Sequence, residues 1–377
     1  MPLITEGNAD VILARFADAK YFVKADLEKI LADYLPALDL LTFQVDLGSM
    51  GDKTKRIRKL IDELASQLDL SGDDLTITRR AAELCKADLA TQMVVEMTSL
   101  QGVMGYYYAK NSGEDESTAV AIREHYLPAS AGDQAPKTKP GLVVGLADKL
   151  DSLAGLFAAG LAPTGSKDPF AQRRAALGLV GNLINWDQDL DLAMALDKAI
   201  SELPIKMDSD TRDACLLFIS DRLHNYLRDQ GYAHDVVDAV VAAQGQNPAG
   251  AFRAVKNLTD RIKNKDWEKT LDSFARCVRI TRDLEKTYPV DGKLFKEKAE
   301  KTLFESVQKA NKDKVSNGDL DGFFGLFDPL IPLITDFFDN VLVMDEDLAL
   351  RENRLGLLQI IAGFAEDILD LTRLEGF

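Results

Sequence analysis

Three histidines and three cysteines are the whole supply of imidazole and thiol in this 377-residue chain. Cys85, Cys215 and Cys277 are widely spaced and form no CxxC pair, so neither a structural zinc site nor a disulfide framework is expected. A reducing compartment fits them. His125, in EHYLP (124–128), has no His or Cys near it in sequence and reads as structural, not as a ligand or general base. His224 and His234 stand ten apart, close to three helical turns only if one helix ran through both, and Gly231 argues against that. No metal site is expected from them. PTGSKD (163–168) places Gly, Ser and Lys ahead of a helix start, where backbone amides suit a phosphate. It lacks the GxxxxGK[ST] spacing of a nucleotide loop. Lys167, Arg173 and Arg174 at that helix start are kept as candidate contacts to an RNA phosphate. No nucleophile–base constellation emerges, and no catalytic residue is expected; the remaining chemistry is recognition.

The charge distribution says of what. The formal net charge of −16 argues against a polyanionic partner. Yet residues 253–314 carry 17 Lys and Arg against 11 Asp and Glu, in a chain whose totals are 45 and 61. Within that segment Trp267, Leu271, Phe274 and Val278 follow the spacing of a core-facing helical stripe. Arg276, Arg279, Arg282 and Lys286 fall on an adjacent arc about 120° wide at 100° per residue. A row of guanidiniums suits phosphate, because each fork is planar, always charged and able to bind two oxygens. The same residues also suit ion pairs with Asp272, Asp283 and Glu285 on a wet surface, and both readings stay open. The run YYY (106–108) can stack on bases, although packing of at least one ring in a core is expected.

The elements that must position these groups read as helices. Residues 209–230 predict an amphipathic helix capped by Ser209 or Asp210, with Gly231 just past its end. Asn247-Pro248 and Asp168-Pro169 each offer a cap followed by Pro at the first helical position. No stretch alternates as strands joined by hairpin turns, so the fold class expected is all-α. No apolar run approaches the roughly 18 residues that span a bilayer, and MPLITEGNAD lacks a signal-peptide pattern. Loop-like segments at 186–192 and 244–250 divide the chain into domains 1–190, 191–247 and 248–377. Two further loops, 130–141 and 315–322, fall inside the first and last of these.

A family resemblance gathers the motifs. KADLATQMVVEMTSLQGVMGYYYA (86–109), EHYLP (124–128), LADKLDSLAG (146–155) and PTGSKDPFAQRR (163–174) together resemble the beta subunit of the bacterial two-subunit glycyl-tRNA synthetase. GDKTKRIRKLIDELA (51–65), LCKADLAT (84–91) and LADKLD (146–151) also resemble the HD superfamily of metal-dependent phosphohydrolases. That family's ligands are an early His, a His-Asp doublet and a later Asp. Lys53, Ala87-Asp88 and Asp148 stand at those positions here. Two of four ligands are missing, so the resemblance implies a vestigial HD site with no metal. Asp88 and Asp148 are expected in hydrogen bonds or ion pairs, with Lys53 as the positive partner. ITDFFDNVLVMDEDLALRENRLGLLQIIAGF (334–364) resembles the same subunit's anticodon-binding domain, a helical domain also seen in arginyl-tRNA synthetases. Its Arg351, Asn353 and Arg354 are candidate tRNA contacts or members of a local ion-pair network.

The resemblance implies an HD-like domain (1–190), a helical linker (191–247) and an anticodon-binding helical bundle (248–377). It implies a cytoplasmic ligase of two alpha and two beta chains that joins glycine to its tRNA. ATP and Mg²⁺ serve the alpha subunit, which holds the catalytic site; no cofactor is expected on this chain, nor DNA or membrane as a partner. The beta subunit binds and positions the tRNA. The family continues upstream of VILARFADAKYFVKADLEKIL (11–31), so a chain shortened relative to the family is expected. Rival readings are an HD-type phosphohydrolase and a non-catalytic helical scaffold.

Overall fold

Caps and apolar stripes recur along the chain where helices form. A computed structural model describes residues 2–130, 132–310, 315–316 and 318–377, with backbone alone for residues 2–10. Residue 131 of the expected loop 130–141, residue 317 of the expected loop 315–322 and the last four residues of the basic segment lie outside that set. The chain divides into two compact units, Met1–Arg222 and Leu223–Phe377. The division falls within the stretch read above as a linker.

The first unit runs α1 (Pro2–Asp26), β1 (Thr42–Gln44), β2 (Gly48–Ser49), α2 (Met50–Gln67), α3 (Gly72–Leu84), α4 (Gln92–Glu96), α5 (Val103–Asn111), α6 (Glu116–Glu124), α7 (Lys139–Ala158), α8 (Gln172–Asn185) and α9 (Leu192–Ser201), and takes in the start of α10 (Ser209–Asp229). The two short strands pair antiparallel, a small departure from a mostly helical chain. α7 is the central helix. Its sequence, LVVGLADKLDSLAGLF, has no continuous polar face, and it is buried on nearly every side. It packs against α2, α3, α6, α8 and α9. Thr138 caps it by accepting from the Gly141 amide, with Pro140 in its first turn. Gly145 lets another segment come close: a Cβ there would lie 2.8 Å from the His125 carbonyl oxygen. α2 begins at a capping box in which Ser49 and Asp52 each satisfy the other's backbone amide. Its buried face carries Ile57, Leu60, Ile61 and Leu64, but also Lys53 and Arg56.

One predicted helix start moves, and another keeps its place under a different cap. α10 begins as expected and Gly231 follows its end at φ +92°. Its cap is Asp208, whose carboxylate accepts from the Thr211 amide at 2.7 Å, not Ser209 or Asp210. α8 begins at Gln172 and not at Pro169. Asp168 still caps it, reaching the amides of Gln172 (2.8 Å) and Arg173 (2.9 Å) across a turn that puts Ala171 at φ +54°.

The second unit continues with α11 (His234–Gln244), α12 (Pro248–Ile262), α13 (Trp267–Thr281), α14 (Lys298–Lys309), α15 (Leu320–Phe327), α16 (Ile331–Asn340) and α17 (Leu348–Ala362). Asn247 caps α12 through the Gly250 amide, with Pro248 at the first position. α13 packs on α17 and α16. Of the stripe expected on α13, Trp267, Leu271 and Phe274 are buried and Val278 is half-buried. Phe274 meets Phe323 and Phe327 edge-on, and Phe323 stacks on Phe327 at 5.6 Å. Such rings contribute both buried area and specific geometry.

Candidate functional site

In the first unit, α2 and α7 bring charged side chains together beneath the surface. Lys53 Nζ lies 3.0 Å from Asp148 Oδ1 and 2.9 Å from Asp151 Oδ2, and donates to Ser152 Oγ at 2.8 Å. Lys86 Nζ lies 2.8 Å from Asp148 Oδ2. Asp148 therefore serves two lysines. Burial pushes its carboxyl up, but the Lys53 and Lys86 charges outweigh that and hold it well below the usual carboxylate range. Asp151 is shared in turn between Lys53 and Arg56, whose Nε donates to Oδ1 at 2.6 Å and whose Nη2 donates to Oδ2 at 3.2 Å.

His125 belongs to the same network. Its Nε2 stands 2.9 Å from Lys86 Nζ and its Nδ1 2.5 Å from the Ile122 carbonyl oxygen. With an ammonium donating to Nε2, the ring is neutral and carries its proton on Nδ1. Burial, then the Lys86 charge, push its pKa well below the ordinary value. Lys149, also buried, donates to the carbonyls of His125 and Leu127, each at 3.2 Å, and burial pushes its pKa down to about 8.

Asp88 faces elsewhere. Its Oδ2 accepts from the Gly102 amide at 2.6 Å and the Gly105 amide at 3.1 Å, at the start of α5. Burial pushes it up to about 6, against the pull of those amides and of Lys86. Ala87 is fully buried. Of the four positions read as a vestigial HD site, Lys53 and Asp148 thus pair directly, while Asp88 spends itself on α5. Lys86, Arg56, Asp151 and Lys149 are members that motif reading did not single out; for Arg56, Asp151 and Lys149 the one signal is charge inside otherwise apolar helical stripes, while Lys86 stands in the turn after α3. The cluster offers no open carboxylate pair, since ammonium groups stand against Asp148 where a cation would have to sit.

The second unit carries a groove of about 1040 Å³ between the end of α12, the start of α13 and α16. Arg261, Lys265, Lys269 and Arg276 line it, with Trp267 and the carboxylates of Asp266, Asp272 and Asp328. Arg261 pairs with Asp328 and lies over the Phe324 ring at 4.3 Å. Arg276 lies over Phe338 at the same distance, and Arg279 over Phe377 at 5.4 Å. Stacking holds these guanidiniums in place without neutralising them. α13 ends at Thr281, so the helical arc expected through Lys286 stops short; Arg282 and Lys286 are exposed, with loose pairs to Asp283 (3.7 Å) and Glu352 (3.5 Å). Pairs so exposed contribute little and leave the cations open to another anion.

The sequence profile of the glycyl-tRNA synthetase beta subunit matches residues 1–242. The glycine–tRNA ligase beta subunit of Haemophilus influenzae (strain PittEE) is 38% identical over 384 residues, which cover 99% of this chain and 54% of that protein. That of Desulfatibacillum aliphaticivorans is 37% identical over 381 residues, 99% of this chain and 55% of that protein. The chain belongs to the glycyl-tRNA synthetase beta subunit family. A chloroplastic/mitochondrial glycine–tRNA ligase of Arabidopsis thaliana is 36% identical along the whole chain, which covers 35% of that protein. The chain spans about half the length of the bacterial relatives it matches. It is thus homologous to part of an aminoacyl-tRNA synthetase subunit.

The family signatures fall on structural as well as exposed positions. Asn353 and Arg354, on α17, are buried. Arg354 donates to Glu300 at 2.7 Å, to Asp345 at 2.8 Å and to the Leu342 carbonyl at 2.9 Å. Asn353 accepts from the Asp291 amide at 2.6 Å and donates to the Asp291 carbonyl at 3.2 Å. Neither side chain faces solvent, so the beta-subunit motif RENRL uses them to hold the domain, and neither is retained as an RNA contact. Arg351 is half-buried on the same helix. In PTGSKD, Lys167 is exposed, but Arg173 folds back to the Gly165 carbonyl (2.6 Å) and Arg174 reaches the Ala129 carbonyl (3.1 Å). With Asp168 already on the first amides of α8, that helix start is closed to a phosphate. Of the three tyrosines, Tyr108 is buried and donates to Asp26 at 2.8 Å, while Tyr107 is exposed.

Among the described residues, no helix is long and apolar enough to cross a membrane. His224 and His234, which the sequence does not join, meet across the turn after α10.

Proposed function

We infer that this chain is the tRNA-binding and positioning part of a glycyl-tRNA synthetase beta subunit. The observation that carries the reading is the groove beside α13. There four cations, Arg261, Lys265, Lys269 and Arg276, stand against three carboxylates in an otherwise acidic chain, within a family of tRNA ligase subunits. Its cations meet the phosphates of an unpaired tRNA loop, and base edges or stacking supply selectivity. The segment 248–377 acts as the anticodon-binding domain. The HD-like domain 1–190 keeps its fold around lysine–aspartate pairs instead of a metal, and 191–247 links the two. An alpha subunit, in an assembly of two alpha and two beta chains in the cytoplasm, activates glycine with ATP and Mg²⁺. This chain lowers the barrier only by placing the tRNA. The phosphohydrolase reading is disfavoured, because two buried ammonium groups hold Asp148.

Titration of the chain with glycine tRNA, a glycine tRNA of altered anticodon and an unrelated tRNA tests the reading. Tighter binding to the intact glycine anticodon, weakened at least tenfold by Arg276→Gln with Arg282→Gln, is expected. Equal weak binding to all three, unchanged in the double variant, would overturn it.

A further inference from the structure

Two of the chain's three histidines converge on one carboxylate. α10 ends before Gly231, whose φ of +92° turns the chain, and α11 starts at His234 only three residues later. The reversal lays His224, from α10, beside His234 and Asp238, which are one turn apart on α11. His224 Nε2 lies 2.8 Å from Asp238 Oδ1, and His234 Nδ1 lies 2.6 Å from Asp238 Oδ2. The rings stand edge to face, 5.3 Å between centroids. One ligand atom from each of the three lies within 4.8 Å of the other two.

We propose that His224, His234 and Asp238 form a binding site for a divalent transition-metal ion of the zinc class. The donor set is two imidazoles and a carboxylate, which suits Zn²⁺, Co²⁺ or Ni²⁺ and not the oxygen-seeking Mg²⁺ or Ca²⁺. Metal–ligand bonds of about 2.0–2.2 Å in a tetrahedron separate the donor atoms by roughly 3.3–3.5 Å. The present nitrogen–oxygen gaps of 2.8 and 2.6 Å are somewhat shorter, so the side chains part slightly to admit the ion. His234 is well placed to rotate, being 67% exposed, and water completes the fourth position on the solvent side. His234 and Asp238 are spaced i, i+4, which presents two ligands on one helix face. His224 comes from the preceding helix, so the ion ties α10 to α11 across the turn. Without the ion, each imidazole places an N–H against Asp238. Binding replaces those N–H contacts with metal–nitrogen bonds.

The test uses the full chain, free of any histidine tag and stripped of metal. It is titrated calorimetrically with Zn²⁺ in buffers of different ionisation enthalpy, and with Co²⁺ followed by visible absorption. One ion per chain, and Co²⁺ bands of four-coordinate geometry without thiolate charge transfer, are expected. His234→Ala removes a surface side chain and keeps the fold, which circular dichroism checks; it weakens binding at least tenfold, as does Asp238→Asn. Absence of one-to-one binding, or binding of equal strength in folded His234→Ala, would overturn the proposal. So would Mg²⁺ competing as well as Zn²⁺.

Discussion

Three lysines are buried in the first unit, two held by carboxylates and one by carbonyls. Lys53 and Lys86 are matched by Asp148 and Asp151, so their burial is offset by opposite charge. Lys149 has carbonyl partners instead, and burial pushes it down to about 8. Folded chains therefore release this proton while unfolded chains, with an ordinary lysine near 10.4, still hold it. The unfolded state binds more protons between about pH 8 and pH 10.4, so stability must rise with pH in that window through this residue. Below pH 8 the cost of burying the ammonium is fully present. Comparing urea unfolding of the wild type with Lys149→Met cancels the other titrations. The wild type should gain on the order of 3 kcal/mol over the variant between pH 7 and pH 10.5. Parallel curves would show that the carbonyls solvate the charge completely. Motif order makes the Lys53 and Asp148 positions legible in the sequence. Lys149 and Asp151 are not legible there, because a charge near a motif aspartate looks like any solvated helical charge until burial is known.

At the scale of elements, caps decide where helices start, and local rules locate them unevenly. Asn247-Pro248 does what the dipeptide suggests, with the Asn247 side chain accepting from the Gly250 amide at 3.2 Å. Replacing Asn247 by Ala should cost about 1 kcal/mol in chemical denaturation, while Asn247→Asp stays within a few tenths. Equal loss in both variants would mean that packing and not the cap sets the position. Asp168-Pro169 looks identical in sequence, yet its helix starts three residues later. The difference is that Asp168 bonds two amides at once over a turn, closing the helix start from a distance. The same bidentate closure removes the phosphate site that PTGSKD suggests. Asn353 and Arg354 of RENRL turn inward for a related reason. Its Arg354 partner Glu300 lies on α14, far away in sequence, and pairing between elements is invisible to periodicity. Gly231 misleads in the opposite sense: in sequence it separates His224 from His234, and the turn it makes is what joins them.

Across the whole molecule the charges are segregated. Acidic residues outnumber basic ones over the chain, while the segment from residue 253 reverses that balance. If this chain binds tRNA as proposed, the acidic excess outside residues 253–314 confines the phosphates to the cations of α13 and its groove. Such confinement needs no high total affinity, and it keeps binding sensitive to salt, because each phosphate neutralised releases counterions. The four cations Arg276, Arg279, Arg282 and Lys286 give this a count. Converting all four to Gln in the full chain should lower the slope of log affinity against log salt by about 0.7–0.9 for each phosphate no longer neutralised. With one phosphate per cation, the change expected for the set is therefore roughly 3–3.5. Lys59→Gln with Arg79→Gln, exposed cations of the first unit, should leave the slope unchanged. Fluorescence anisotropy with glycine tRNA from about 50 to 300 mM salt, where exposed charges are progressively screened, reads both. A slope that falls equally in the two variants would mean that tRNA is drawn by overall charge. A slope unmoved by the four substitutions would place the phosphate-binding cations elsewhere.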